Sequence, residues 1–336
     1  MNTTSLPVPE ARSTARRIPW IQDDWRTASL RTGMQALSTL APPLAVRIVD
    51  RLWFTPPRLP LRPEAAEFLA RGERLSFRVH GRHVAGWAWG QGPTVLLVHG
   101  WGGRAAQMCA FVEPLLAAGL RVLAFDAPAH GESDSSRLGG RRVSFIEFAA
   151  ALREVARAGA PVIGLIAHSS GCTATALAIR DGWAPPPRLV FLAPFVFPDR
   201  YSAPFAAAVG ASAAVMAAFR ARTEQRLRRP WSDFDMPGLP QNFTVPPLLL
   251  VHDGDDLEVP ITDSRALAKA WPRARLLSTS GLGHRKLLRE PSVVAVAVAA
   301  MTEAAESTAA DAPAEYSPAQ SRGELDRYFQ QAEFCG

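Results

Sequence analysis

The sequence predicts an α/β protein built on a doubly wound, mostly parallel sheet, and three observations predict it. Short apolar runs alternate with helix-like segments from about residue 94 to residue 300. The runs are apolar throughout, which is typical of parallel strands buried on both faces. Polar and glycine-rich residues follow most of these runs, and in such a sheet a ligand site lies outside the carboxyl ends of the strands.

The individual elements follow from the same pattern. Strands are predicted at TVLLVHG, LRVLAFD, PVIGLIA, RLVFLAP, PPLLLVHDG and ARLLSTS, with helices over 105–118, 143–158, 171–181, 262–271 and 285–300. Upstream of them, LSFRVHGRHVAGWAWG predicts an antiparallel β-hairpin around Gly81 and Arg82. We therefore expect a mixed sheet in which a hairpin leads into the parallel part.

The composition divides the chain into an N-terminal part, a main domain and a tail. Residues 1–20 are polar and rich in Pro and Arg, and we expect them to be disordered. Residues 21–70 are predicted to form a helical extension and linker. Residues 71–302 are predicted to form the main domain, with a cap insert at 196–245, and residues 303–336 to form a disordered tail. We expect the extension to pack on the main domain, to cover the mouth of its site, or to form a homodimer interface.

Composition also excludes several classes of function. The 336 residues carry a formal net charge of +6, but the arginines are scattered and no nucleic-acid-binding module accompanies them, so no nucleic-acid partner is predicted. The densest arginine group, at 220–229, predicts a solvated helical face, with an anion-attracting lid surface as the alternative. Three cysteines without paired spacing argue against a disulfide framework. With no recognisable signal peptide or membrane-spanning segment, a cytoplasmic location is expected.

The segment GLIAHSSGCTATALAIR, residues 164–180, carries the strongest chemical signal. It places Ser169 between a strand and a helix, with the small residues Ala167 and Gly171 two positions away on each side. A serine at such a sharp turn is held in a strained backbone conformation with its hydroxyl exposed, which is the arrangement of a nucleophile elbow. The segment therefore predicts a nucleophilic serine.

Two later strand ends supply an acid and a base. His284 follows the last predicted strand, and Asp256 lies in the loop after the preceding strand. A serine hydroxyl is a poor nucleophile near neutral pH, so a base must take its proton, and imidazole can accept and return one. A carboxylate must orient that imidazole and stabilise its protonated form. The residues thus predict a Ser, Asp, His triad in this chain order.

Alternatives to these assignments remain open on the residues alone. Ser170 is a rival nucleophile, although its neighbours at the same spacing are bulky. Asp253 and Asp255 are rivals to Asp256, although loop aspartates more often stabilise turns. Asp199 is a further candidate acid, and His284 could be a structural histidine.

The motifs HGWGG, FDAPAHGES, AHSSG, HDGDDLEVP and GLGH occur in one order along residues 75–300. In this order and spacing the chain resembles bacterial serine hydrolases of the α/β-hydrolase fold, of the esterase and lipase type. The resemblance implies that fold, with a small helical cap, while the N-terminal helical extension lies outside it. It also implies Asp256 as the acid. In the family the acid stands three residues before a Val-Pro pair, and Asp256 stands three residues before Val259 and Pro260.

The resemblance further implies which residues surround the reacting groups. The backbone N–H groups of Trp101 and Ser170 would form the oxyanion hole. His168, Trp101 and Phe195 are the candidate substrate contacts. Asp126, which follows a strand, is expected to hold its own loop, and His99 and His130 to brace loops near the site.

The implied function is a serine hydrolase that cleaves a carboxylic ester or related acyl bond. An acyl-enzyme would form on Ser169, with His284 as general base and acid and Asp256 orienting it. The expected partner is a small-molecule acyl substrate, and neither a cofactor nor a metal is expected. An acyltransferase, thioesterase or peptidase on the same triad, and a non-catalytic binding protein of this fold, remain alternatives.

Overall fold

An eight-stranded mixed sheet lies at the centre of the structure, a computed structural model that describes residues 25–58 and 60–310. The strands lie in the order β1-β2-β4-β3-β5-β6-β7-β8. They are β1 (Glu73–Val79), β2 (Arg82–Trp89), β3 (Thr94–Val98), β4 (Arg121–Phe125), β5 (Val162–His168), β6 (Arg188–Leu192), β7 (Leu248–Asp253) and β8 (Ala274–Thr279).

The direction of the strands confirms the predicted sheet. Strands β3 to β8 pair in parallel, whereas β2 pairs antiparallel with both β1 and β4. All five residues of β3 are buried, as expected for a strand covered on both faces. The hairpin turn consists of His80 and Gly81, both with positive φ, which suits a two-residue turn between twisted strands.

Helices cover both faces of the sheet. The α-helices in the described part of the chain are α1 (Trp25–Leu40), α2 (Pro42–Phe54), α3 (Pro63–Ala70), α4 (Val112–Ala117), α5 (Phe145–Ala158), α6 (Ser170–Arg180), α7 (Ser202–Val209), α8 (Ala213–Leu227), α9 (Ile261–Ala270), α10 (Gly283–Lys286) and α11 (Pro291–Ala310). One apolar cluster joins the sheet to α5, α6 and α9, and a second joins its other face to α3, α4 and α11. The sheet is therefore doubly wound, as the sequence predicts.

The N-terminal extension packs on the cap. A third apolar cluster contains Met34 from α1, Val49 from α2, Phe205 from α7 and Phe219 from α8. Because two segments far apart in the sequence share this core, the extension and the cap form one structural unit beside the sheet.

A buried ion cluster joins this unit to the main domain. The carboxylate of Asp50, a residue 4% exposed on α2, lies 2.7 Å from Nη1 of Arg226 on α8 and 2.8 Å from Nη1 of Arg142 before α5. A buried carboxylate is stable only when opposite charges and hydrogen bonds replace its water. Asp50 therefore links the extension to both the cap and the main domain.

One predicted boundary differs from the structure. Helix α3 lies inside the range 21–70 that is predicted as extension and linker, but α11 continues to Ala310, eight residues beyond the predicted end of the domain at 302. Alanine favours helices, and Ala304 is buried in the second apolar cluster, so this low-complexity stretch still forms a helix. The predicted disorder of residues 1–20 and of the tail from 311 onward lies outside the described residues.

The arginine group at 220–229 is only partly the solvated face that the sequence predicts. Arg222 and Arg228 are exposed, but Arg226 pairs with Asp50 and Arg229 pairs with Asp181 at 2.7 Å. Together with Arg220, which pairs with Asp199 at 3.0 Å, three of the five arginines of the group are thus matched by nearby carboxylates. In the described part of the chain, no helix combines the length and apolar character needed to cross a membrane.

Candidate active site

Ser169 lies at the sharp turn between β5 and α6. Its φ of 51° and ψ of −120° fall in a region that side chains other than glycine seldom adopt. The turn raises the side chain of Ser169 above the carboxyl end of the sheet, where it is 8% exposed. The local geometry matches the nucleophile elbow predicted from the sequence.

Small residues are needed around this turn because other backbone segments approach it closely. A Cβ atom at Gly171 would lie 2.5 Å from the carbonyl oxygen of His99, at the end of β3. A Cβ atom at Gly100 would lie 3.0 Å from the Cβ of Ser169. The loop after β3 therefore lies directly against the elbow.

The structure brings Ser169, His284 and Asp256 together from three different strand ends. The Oγ of Ser169 lies 3.0 Å from Nε2 of His284, and Nδ1 of His284 lies 2.7 Å from Oδ2 of Asp256. Since the carboxylate can only accept, Nδ1 carries the proton of the neutral ring, and Nε2 accepts the hydrogen bond from the hydroxyl. This tautomer leaves the basic nitrogen facing Ser169.

Asp256 is held by three further groups, which lie on β7 or in the loop after it. Its Oδ1 accepts hydrogen bonds from the N–H groups of Glu258 and Val259, at 2.8 and 2.9 Å. Burial raises the pKa of this carboxyl, but hydrogen bonds from His252 and His284 lower it more, so that the pKa lies well below its usual range. Asp256 is therefore a carboxylate that resists protonation.

His252 is a residue of this site that sequence reasoning missed. Its ring is fully buried, with Nε2 at 2.9 Å from the carbonyl oxygen of Val259 and 3.3 Å from Oδ2 of Asp256. Both neighbours are acceptors, so Nε2 carries the proton, and Nδ1 accepts from the Ser264 hydroxyl at 2.7 Å. The available signal was its position four residues before Asp256, at the end of the strand that leads to the acid.

None of the rival residues takes part in this chain of hydrogen bonds. The Oγ of Ser170 has no hydrogen-bond partner among the described residues. Asp253 accepts from the Thr279 hydroxyl at 2.7 Å, and Asp255 accepts from the N–H of Gly281 at 2.8 Å, so both stabilise turns. Asp199 lies in the cap, where it pairs with Arg220 at 3.0 Å.

The two predicted oxyanion donors lie at the same cavity as Ser169. Both Trp101 and Ser170 line it. Ser170 is the first residue of α6, where backbone N–H groups have no partner within the helix. A hydrogen bond of 3.0 Å from the N–H of Gly103 to the carbonyl of Gly100 closes the turn that carries Trp101.

Of the three predicted substrate contacts, Trp101 and Phe195 line the cavity, but His168 does not. As the last residue of β5, His168 is 2% exposed, and its Nε2–H donates to the carbonyl oxygen of His284 at 3.0 Å. Its ring centroid lies 4.7 Å from that of His284. The expected substrate contact of His168 is therefore corrected to a packing contact behind His284.

The loops beside the site are braced as the sequence predicts. Asp126 accepts hydrogen bonds from the N–H groups of Ala105 and Glu132, at 2.7 and 2.8 Å. Nε2 of His99 accepts from the N–H of Ala127 at 3.0 Å. Burial lowers the pKa of His99 well below its usual value and that of His130 to about 4, so both rings are neutral near pH 7.

The cavity in front of Ser169 is largely apolar and opens to solvent. Aromatic residues from the extension, the main domain and the cap form much of its wall: Trp53, Trp101, Phe145, Phe195, Tyr201 and Trp231. None of the described lining residues is charged. A cavity of this kind suits the apolar part of a neutral ligand.

His284, by contrast, faces a charged rim. Oε2 of Glu258 lies 3.7 Å from Nε2 of His284, and Nε of Arg285 lies 3.2 Å from Oε1 of Glu258. Neither His284 nor Glu258 lines the apolar cavity. Ser169 thus lies between an apolar cavity on one side and a polar rim on the other.

Comparison with solved structures identifies the same fold. An esterase from Pyrococcus furiosus superposes with a TM-score of 0.54 at 17% identity, over 73% of this chain and 95% of that one. An esterase from Thermogutta terrifontis gives 0.52 at 18% identity, over 69% and 99%. Est1E from Butyrivibrio proteoclasticus, solved with ferulic acid bound, gives 0.50 at 18% identity, over 68% and 96%.

A search of curated proteins finds no match to this chain. The family model described as "Alpha/beta hydrolase family", however, matches residues 95–300, which span β3 to α11 and carry Ser169, Asp256 and His284. The match covers more than half of the 336 residues. The chain therefore belongs to the alpha/beta hydrolase family.

Proposed function

We propose that this protein is a serine hydrolase that cleaves a carboxylic ester through an acyl-enzyme formed on Ser169. The hydrogen-bond chain from Ser169 through His284 to Asp256, at 3.0 and 2.7 Å, carries the proposal. The family and the esterases of similar fold support hydrolase chemistry, and the apolar cavity supports a small acyl substrate.

In the first half of the reaction, Nε2 of His284 takes the hydroxyl proton as Oγ of Ser169 attacks the carbonyl carbon of the substrate. The carbonyl oxygen then carries negative charge, which the N–H groups of Trp101 and Ser170 stabilise. His284 returns the proton to the leaving oxygen, the carbon–oxygen bond breaks, and an alcohol departs. The acyl group remains covalently bound to Ser169.

In the second half, water replaces the alcohol. Nε2 of His284 takes a proton from the water as its oxygen attacks the acyl carbon, and then returns that proton to Oγ of Ser169. A carboxylic acid leaves and the enzyme is restored. Asp256 stays ionised throughout, because its pKa is held well below the usual range, and so it stabilises the protonated ring in both halves.

Acyl transfer to an alcohol or amine is a second candidate. The observation that favours it is the uncharged, aromatic cavity, because such a wall limits the water that reaches an acyl-enzyme. Adding an alcohol or amine during turnover separates the two reactions. A transferase gives mostly the new ester or amide, whereas a hydrolase gives mostly the free acid.

A fluorophosphonate probe tests the proposal, since it labels an activated serine. The wild-type protein is expected to be labelled, and Ser169→Ala is expected to lose both labelling and at least about 10³-fold in kcat on p-nitrophenyl esters. Ser170→Ala, which keeps its backbone N–H, is expected to retain labelling. Undiminished hydrolysis by Ser169→Ala would contradict the proposal.

A further inference from the structure

Two polar side chains in the wall of the apolar cavity have no hydrogen-bond partner. Thr223 is 1% exposed and Trp231 is 4% exposed, and both line the cavity. Neither the Oγ1 of Thr223 nor the Nε1 of Trp231 makes a hydrogen bond within the described residues. Because a buried polar group without a partner costs free energy, such groups are unusual unless a ligand satisfies them.

Both side chains belong to the cap, whereas Ser169 belongs to the sheet. Thr223 lies on α8, and Trp231 begins the short 3₁₀ helix Trp231–Phe234 that follows it. The indole of Trp231 packs on Trp53 of the extension and on Phe219 of the cap, with ring centroids 5.6 Å apart in both cases. Its position is therefore fixed by rings on two sides.

The chemistry of these two groups defines what they can bind. An indole N–H can only donate, and a threonine hydroxyl can donate or accept. With no charged residue in the described lining, the ligand is neutral. A keto or hydroxyl oxygen on an otherwise apolar group satisfies both side chains, whereas an alkyl chain leaves them unpaired.

The position of His284 indicates which part of the substrate reaches this wall. His284 must protonate the leaving group, and it faces the rim near Glu258 rather than the cavity. The leaving group is thus placed on the rim side, and the acyl group enters the cavity.

We infer that Thr223 and Trp231 form a binding site for a neutral oxygen on the acyl group, so that the substrate is an ester of an oxo- or hydroxy-substituted acid. This inference rests on the proposed function, because the acyl group is defined by its attachment to Ser169.

The test compares p-nitrophenyl octanoate with esters that differ from it only by one keto group, placed at successive carbons of the acyl chain. Wild-type protein is expected to prefer one keto ester by about tenfold in kcat/KM, the value of one well-placed neutral hydrogen bond. Thr223→Val and Trp231→Phe are each expected to reduce that preference severalfold. For each variant, hydrolysis of the plain octanoate is the reference against which the preference is expressed, so that a general change in the cavity wall cancels.

Thr223→Ser is the matched control, since it retains the hydroxyl and is expected to retain the preference. Thermal unfolding gives a second readout. Thr223→Val removes a hydroxyl that has no protein partner, so its melting temperature should equal or exceed that of the wild type. A clear fall in melting temperature would indicate a structural hydrogen bond and would overturn the inference.

The outcomes separate the inference from the proposed function. If octanoate is hydrolysed but no keto ester is preferred, or if the preference survives both substitutions, the binding site is wrong while the hydrolase stands. If no ester is hydrolysed, the proposed function fails, and calorimetry with Ser169→Ala then tests the site alone. Methyl esters of the keto acids are expected to bind that variant about tenfold more tightly than methyl octanoate, and equal binding contradicts the site.

Discussion

The sheet side and the cap side of the candidate site differ in how they are built. On the sheet side, Ser169, His284 and Asp256 lie at strand ends, and their side-chain hydrogen bonds are made within the protein. On the cap side, the wall is aromatic, and Thr223 and Trp231 have unpartnered polar atoms. Under the proposed function, the sheet side is organised for the reaction before substrate arrives, whereas the cap side is completed by the substrate.

Asp256→Asn should give the largest effect on the sheet side. Asparagine offers an N–H₂ group where His284 needs an acceptor, so the ring loses the tautomer that leaves Nε2 basic. We expect kcat to fall by about 10⁴-fold with little change in the fold. Steady-state kinetics measures the loss. Asp255→Asn is the matched control, since it keeps an oxygen for the N–H of Gly281, and a similar loss there would reject Asp256 as the acid.

The buried histidine His130 makes the sheet side sensitive to acid. Burial lowers its pKa to about 4 in the folded protein, below the unfolded value of about 6.5, so the unfolded state binds the proton more readily. Its contribution to the free energy of unfolding is therefore complete above about pH 6.5 and is lost as the pH falls to about 4. The loss amounts to about 3 kcal/mol.

Chemical denaturation at a series of pH values checks this prediction. His130→Phe keeps an aromatic ring beside Phe148 but does not titrate, so its stability should fall less between pH 7 and pH 4 than that of the wild type. His80→Asn alters an exposed histidine and should follow the wild-type curve. Parallel curves for His130→Phe and the wild type would refute the assignment.

Trp53→Leu tests whether the extension shapes the cavity. The Trp53 ring packs on Phe205 with centroids 5.0 Å apart and lines the cavity, so a smaller side chain leaves space in the wall. We expect the ratio of kcat/KM for long acyl esters to kcat/KM for acetate esters to change by about tenfold, since one contact in a pocket discriminates between substrates to this extent. Equal changes for acetate and octanoate esters would mean that Trp53 does not act on specificity.

Asp235→Asn gives the smallest effect and the opposite response to acid. Burial of Asp235 in the cap raises its pKa to about 6, above the unfolded value of about 3.9, so its ionised form destabilises the fold above pH 6. The substitution should raise the free energy of unfolding near pH 8 by about 1 kcal/mol, after allowance for solvent screening. The gain should disappear near pH 4, and a gain that is independent of pH would contradict this origin.

The same contrast explains what the sequence could predict. The strands were predictable because each is a short apolar run. Ser169 and His284 could be named as candidates because they follow strands whose ends must share one edge of the sheet, whereas the choice of Asp256 over Asp253 and Asp255 came from the family resemblance. Trp53 was not predictable as a wall residue, since no local pattern states which distant aromatic ring faces a cavity. His252 was hidden for a related reason, because its contact with Asp256 depends on how the loop after β7 folds back.

The boundary that differed also has a physical origin. The end of α11 contains few strong apolar positions, and its stability comes from packing of Ala304 in the apolar cluster beside the sheet. Local composition carries little information about such tertiary contacts.

The most direct test of the account is detection of the acyl group on Ser169. Protein mixed with a p-nitrophenyl ester, quenched in acid within the first turnover and digested, is expected to yield the peptide containing Ser169 with the mass of the acyl group added. A burst of p-nitrophenol equal to the enzyme concentration should accompany it when deacylation is the slower step. Turnover without acylation, or acylation at a residue other than Ser169, would contradict the account.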